Sequence, residues 1–174
     1  SAYAFSTENW RRPESEVTFL MQFLKNVIQE ELDDLKSKQV RLRFIGHLDK
    51  LNPDIIEQMK IAESETAHNS LIQLNIMVNY GSRDEIIHAV KSIVSQKINV
   101  DDIDDSCLSK ALYTHDIPDP EILIRTSGEQ RISNYLLWQL AYTELFFLDT
   151  LWPDFSEHDL IQVIQAYQSR HRRY

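Results

Sequence analysis

Two periods take turns along this chain. Val40, Leu42 and Phe44 alternate with polar neighbours, and so do Leu74, Ile76 and Val78. A two-residue period turns one face of a strand inward. Between these runs the spacing changes. Val17, Leu20, Leu24, Val27, Ile28 and Leu35 recur at helical intervals over residues 13–38, and Phe19 and Phe23 are read as widening that stripe. Pro13 near the start and Glu14 and Glu16 in the first turn suit a helix N-terminus. Asn52-Pro53 opens a second helix, to about residue 68. Asn79-Tyr80-Gly81-Ser82 is read as a turn before an amphipathic helix over 84–95. An acidic surface loop over 97–105 and a short helix over 106–113 follow. Ile122 to Ile124 reads as a short buried strand, 134–142 as a helix, and 145–147 as a last strand. Ser156 caps a final helix, with Asp159 completing a variant capping box. The alternation predicts an α/β fold. Its sheet is mostly parallel and flanked by helices on both faces, in a single domain over residues 1–174.

Composition narrows the function. The chain has no run of about eighteen apolar residues, so no membrane-spanning helix is expected. The formal net charge is −9, the wrong sign for general nucleic-acid binding. Arginines gathered in such a chain point to a local anion site instead. The single cysteine, Cys107, fits a reducing compartment, and a cytoplasmic location is expected. It reads as a small helix residue. The six histidines have no zinc-ligand spacing and read as structural or surface groups. The chain opens SAYAF, without methionine and inside a strand, as expected of a longer protein truncated at its N-terminus.

In a parallel α/β sheet, ligands gather where strand ends lead into helices. Two such loops carry chemistry, and both are expected on one edge of the sheet. In YAFSTENWRRPESEV a strand end delivers Ser6, Thr7, Glu8, Asn9, Trp10, Arg11 and Arg12. These hydroxyls, carboxamide and guanidinium groups suit an oxyanion and a proton transfer. Trp10 as a lid on the core is the plainer alternative. In RTSGEQRISNYLLWQL, Arg125 leaves a strand, Gly128 allows a turn, and Arg131 and Ser133 stand at an expected helix start. Helix N–H groups and guanidinium forks both suit phosphate. The alternative is that Ser133 only caps, while the arginines pair with Glu129 and Glu121. Glu144, at the far end of that expected helix, is either a Mg²⁺ ligand or a solvated acid.

The stretches YAFSTENWRRP, VNYGSRDEI and RTSGEQRISNYLLWQLAYTELFFLDTLWPDF resemble the cis-prenyltransferases. Among these, the bacterial undecaprenyl diphosphate synthases are the nearest in pattern. The resemblance implies a Mg²⁺-dependent transferase. Such enzymes condense isopentenyl diphosphate onto an allylic diphosphate such as farnesyl diphosphate. The product is a long Z-polyprenyl diphosphate, in bacteria the precursor of the lipid carrier for cell-wall sugars. By the same resemblance Asn9 assists proton removal, and Ser6, Thr7, Glu8, Trp10 and Arg12 contact substrate. Arg125, Arg131, Ile132 and Ser133 would bind the isopentenyl diphosphate, and Glu144 would hold Mg²⁺. A homodimer is implied, with the aromatic run from Tyr142 to Trp152 as interface material or as ordinary core. The product lipid would bring the protein to the membrane surface. The stripe from Val17 to Ile28 fits either a product tunnel or a plain core.

The pattern also departs from the family. The motif H-M-D-G-N-G-R-W-A, with its Mg²⁺-binding aspartate, is absent. Gln130 stands where some bacterial members have histidine, and the tail HRRY stops before the glycine of an R-x-G ending. The chain alone is therefore expected to be inactive. The alternatives are a non-catalytic partner subunit of the same family and a diphosphate-binding enzyme on another α/β fold.

Overall fold

A computed structural model describes residues 1–170, so His171 and the HRRY tail lie outside the described residues. The chain divides into two compact units, Ser1–Asp116 and Ile117–Tyr174.

The first unit contains β1 (Ala2–Ser6), α1 (Glu14–Ser37), β2 (Val40–Ile45), α2 (Pro53–Thr66), β3 (Ile72–Tyr80), α3 (Ser82–Ser95) and α4 (Asp105–Ala111). Its strands lie in the order β1-β3-β2, and both pairings are parallel. The expected residues start the helices. Pro13 precedes α1, and the Asn52 side chain accepts from the Asp54 N–H at the head of α2. The α1 stripe buries Val17 and Ile28 against Leu42, Phe44, Ile55 and Met59, with Leu20 and Leu24 packed beside them. Phe19 and Phe23 do not join it. They remain 67% and 58% exposed and stack on each other at 6.3 Å. At 3.6 residues per turn they fall more than about 100° round the helix from the buried row.

β2 is an edge strand, and side chains of α2 and of the turn after it cover its free backbone groups. The N–H groups of Leu42 and Phe44 donate to Thr66 Oγ1 (3.0 Å) and Glu63 Oε1 (2.7 Å), and the Val40 carbonyl accepts from Asn69 (2.8 Å). Asn79 and Tyr80, expected in a turn, are the last residues of β3, and Gly81 caps α3. The acidic loop holds a 3₁₀ turn at Val100–Asp102. Asp104 caps α4, so that helix begins one residue early and ends at Ala111. Cys107 lies half-buried within it.

The second unit pairs β4 (Ile122–Arg125) with β5 (Glu144–Phe147) in parallel, followed by α5 (Glu157–Ser169). Phe146, Val163 and Tyr167 form its core with Ile122, Ile124 and Leu148. The β4 residues are half-buried rather than buried. Ser156 and Asp159 form the expected capping box at α5. The parallel α/β class holds, but the strands fall into ladders of three and two.

The helix expected over 134–142 is absent. That segment runs in turns, with left-handed φ at Ser133 (49°), Asn134 (62°) and Leu136 (47°). A right-handed helix cannot pass through three such residues. The element order is therefore β-α-β-α-β-α-α-β-β-α.

Candidate active site

The Ser6–Arg12 loop leaves the carboxyl end of β1. Residues Thr7–Arg11 form a 3₁₀ turn, and the Asn9 Oδ1 accepts from the Ser6 N–H at 2.7 Å. The candidate catalytic carboxamide is thus oriented through its oxygen by the backbone it follows. Thr7 Oγ1 donates to Glu8 Oε2 at 3.2 Å. Arg12 is exposed and lies 3.5 Å from Glu16, a pair of little energetic consequence in water. Trp10 packs edge-on against Phe5 at 5.2 Å, and its Nε1–H donates to Asn79 Oδ1 at 2.6 Å. Trp10 is 39% exposed, so it covers part of the core yet is not sealed from solvent.

Beneath this loop, Tyr3 donates its hydroxyl to the Tyr80 carbonyl at 3.0 Å. Burial, and then the charge of Glu8, push the Tyr3 phenol up to about 12, while a hydrogen bond with Ser6 acts the other way. Tyr3 was not a candidate at the sequence level, and neither was Asn79. Asn79 was hidden in an Asn-Tyr-Gly run that reads as a turn. The usable signal was a second asparagine, Asn75, four residues earlier in a strand whose residues 74–78 are otherwise apolar; both are buried.

In the second unit, Arg125 ends β4. The loop after it has left-handed φ at Ser127 (69°) and Gly128 (67°). Their N–H groups are already used, donating to Thr150 O (2.8 Å) and Leu148 O (2.9 Å). With no helix behind it, the loop offers neither helix N–H groups nor a helix dipole to an anion. That corrects the expected helix-start site. An anion here would meet side chains: Arg125, Arg131 and the exposed hydroxyl of Ser133. Arg131 is paired with Glu129, as the plainer alternative foresaw. The half-buried Ile132 accepts from the Tyr135 N–H at 3.0 Å.

Glu144 is not at a helix end. It is the first residue of β5 and pairs with Ile122, whereas Arg125 pairs with Phe147 at the other end of the ladder. Three residues of strand separate the two positions by about 10 Å. The Glu144 carboxylate is bound by Arg170, whose guanidinium lies 4.3 Å from the centre of the Phe146 ring. Mg²⁺ takes one or two carboxylates together with substrate phosphates. Among the described residues no three His, Cys, Asp or Glu side chains are grouped to hold a metal. Glu144, paired with Arg170 and remote from Arg125 along the ladder, does not by itself make a Mg²⁺ site.

A cavity of about 770 Å³ lies elsewhere in the first unit, lined by Arg43, Gly46, His88, Lys110 and Tyr113 among others. It contains none of the candidate residues, and its Arg43 is neutralised by Asp116 at 2.6 Å. The loops, not this cavity, carry the chemistry the sequence pointed to.

The family model described as "Putative undecaprenyl diphosphate synthase" matches residues 1–174, the whole chain. The chain belongs to this prenyltransferase family. Its fold and enzyme class are those of the prenyltransferases. An isoprenyl transferase of Heliobacterium mobile is 48% identical over 178 residues, spanning 100% of this chain and 68% of that protein. One from Bacillus anthracis is 46% identical, spanning 99% of this chain and 68% of its own length. Lavandulyl diphosphate synthase from Lavandula x intermedia, solved with dimethylallyl diphosphate, superposes with a TM-score of 0.93 at 33% identity. That match covers 98% of this prenyltransferase chain and 75% of the other. A protein from Campylobacter jejuni described as a probable undecaprenyl diphosphate synthase gives 0.90 at 34%, covering 98% and 80%.

Proposed function

We propose that this chain serves an enzyme that condenses isopentenyl diphosphate onto an allylic diphosphate such as farnesyl diphosphate, giving a long Z-polyprenyl diphosphate. The observation that carries the reading is the Ser6–Arg12 loop at a strand's carboxyl end, within a chain 46–48% identical to named isoprenyl transferases. That loop carries hydroxyls, a carboxamide and arginine within seven residues. A lavender relative of the same fold is described in complex with an allylic diphosphate.

In the proposed reaction the isopentenyl double bond attacks the allylic carbon. The allylic C–O bond breaks and the diphosphate leaves with the electron pair. The resulting cation loses a proton, and the new double bond forms. Guanidinium groups stabilise the departing charge without reorganisation. Arg12 is assigned to the allylic diphosphate, and Arg125 and Arg131 to the isopentenyl diphosphate, with Ile132 and Ser133 beside them. Asn9, fixed by its bond from Ser6, orients the proton-loss step rather than acting as a strong base. Trp10 offers its ring to the isoprenoid.

A Mg²⁺ requirement is proposed on family resemblance alone, as are a cytoplasmic location and a cell-wall lipid product. The chain alone is proposed to turn over poorly, because the Mg²⁺-binding aspartate of the family's H-M-D-G-N-G-R-W-A motif is absent from it. A homodimer is also proposed. Tyr142, Leu151 and Trp152 are 78%, 57% and 66% exposed, which favours interface over core at these three positions, while Phe146 between them is core.

The test is labelled isopentenyl diphosphate with farnesyl diphosphate and Mg²⁺, scored for butanol-extractable product. The chain and the full gene product are assayed side by side. Long-chain product from the full protein, and less than about a tenth of that rate from the chain, is expected. A full protein that makes no extractable product would remove the reading.

A further inference from the structure

The Ser6–Arg12 loop is tied to the rest of the first unit through one side chain that the reaction chemistry does not require. Asn79 ends β3 with a left-handed φ of 47° and is 1% exposed. Its amide is used at both ends. The oxygen accepts from Trp10 Nε1–H at 2.6 Å, and the Nδ2 group donates to the His47 carbonyl at 2.6 Å. Its backbone carbonyl accepts from the His47 N–H at 3.2 Å. His47 is itself fixed. Gly46 before it, at φ 145°, packs so close to β3 that an added Cβ would lie 2.0 Å from the Val78 carbonyl oxygen. Three strand ends therefore meet at one carboxamide: β1 through Trp10, β2 through His47, and β3 itself.

We propose that Asn79 is a positioning residue that sets the pose of the Trp10 ring for the isoprenoid of the allylic substrate. This rests on the reading of the Ser6–Arg12 loop as the allylic site. Asparagine answers three demands at once. It tolerates the left-handed backbone. It accepts from an indole, which can only donate. It also donates to a carbonyl on its other side. Aspartate loses the last function, and leucine loses all three. With its N–H committed to Asn79, Trp10 offers substrate a ring face and no hydrogen bond. Besides its hydrogen bond to Asn79, the ring has an edge-on contact with Phe5.

The test uses the full gene product with Asn79→Gly, Trp10→Phe, the double variant and Trp10→Ala. Asn79→Gly keeps the positive φ and removes the amide. Losing one oriented hydrogen bond should raise KM for farnesyl diphosphate about three- to tenfold. KM for isopentenyl diphosphate should stay within about twofold. Trp10→Phe should show a similar rise, and the double variant should be no worse than either single one. An Asn79→Gly penalty that persists in full in the Trp10→Phe background would overturn the proposal while leaving the loop reading intact. Trp10→Ala with an unchanged KM would overturn the loop reading, and the proposal with it. A second measurement needs no turnover. Trp10→Phe identifies the Trp10 indole N–H among the tryptophan signals in ¹H–¹⁵N NMR spectra. In the unmutated protein that signal should be downfield and slow to exchange. A fast-exchanging Trp10 N–H would refute the contact even if every Asn79 variant failed to fold.

Discussion

The Tyr80 hydroxyl donates a 2.5 Å hydrogen bond to the Glu85 carboxyl group, and both side chains are wholly buried. The other Glu85 oxygen accepts from the Tyr113 N–H at 3.0 Å. One carboxyl group thus links the end of β3, the first turn of α3 and the segment after α4. Glu85→Ala leaves a buried hydroxyl and a backbone N–H without that acceptor, and should cost about 2–4 kcal/mol. Glu85→Gln keeps one acceptor and should cost about 1 kcal/mol. Urea denaturation reads both. A Glu85→Ala variant as stable as the parent would show that the network is dispensable.

Gly46 should not accept alanine. The added methyl would meet the Val78 carbonyl at 2.0 Å, and that backbone sits in the centre of the sheet. Strain and displaced strand pairing together should exceed about 3 kcal/mol. Normal expression and a melting temperature within a few degrees of the parent would contradict this.

Thr66→Val tests the covering of the β2 edge. Thr66 is 0% exposed, and its hydroxyl is the acceptor for the Leu42 N–H. Valine keeps the shape and strands that N–H, so the loss should be about 1–3 kcal/mol. Hydrogen exchange at Leu42 should accelerate in step. Unchanged protection there would mean that another group covers the strand.

Two tyrosines should ionise late. Burial first, then the charges of Asp84, Glu85 and Asp49, push Tyr113 up to about 12, as burial and Glu8 do for Tyr3. Their ordinary value is near 10. The folded state therefore keeps two protons that the unfolded chain releases above pH 10. That stability is fully present below about pH 10 and is lost as pH rises toward about 12. Absorbance titration at high pH should show that Tyr3→Phe and Tyr113→Phe each remove a late-ionising phenol, and the urea midpoint should fall over the same range. All seven tyrosines titrating together near pH 10 in folded protein would rule this out.

Arg125→Ala and Arg131→Ala in the full protein should each raise KM for isopentenyl diphosphate. A lost charge-assisted hydrogen bond is worth roughly 1.5–3 kcal/mol, so ten- to a hundredfold is expected. Arg131 begins in a pair with Glu129, which must be exchanged for the ligand, so its effect should be the smaller. KM unchanged in both variants would sink the diphosphate assignment.

Local signals decided much of this protein. Periodicity places α1 and β2 because their side chains must face one core. Pro13, Asn52 and the Ser156–Asp159 box mark helix starts because capping is settled within three residues. The motifs around Asn9 and Arg125 carried the family. Tertiary structure decided the rest. Residues 134–142 have helical composition, yet Ser133, Asn134 and Leu136 turn left-handed while Tyr135, Leu136 and Gln139 are buried. Packing outweighs propensities of a few tenths of a kcal/mol per residue. That change removes the anticipated helix N–H groups from the Arg125 loop and makes Glu144 a strand residue. Phe19 and Phe23 are apolar by sequence and exposed by helix geometry. Asn79 is the clearest case. Its neighbours in sequence spell a turn, but its partners, Trp10 and His47, lie 69 and 32 residues away. No local pattern encodes a contact that exists only once three strands have aligned their ends.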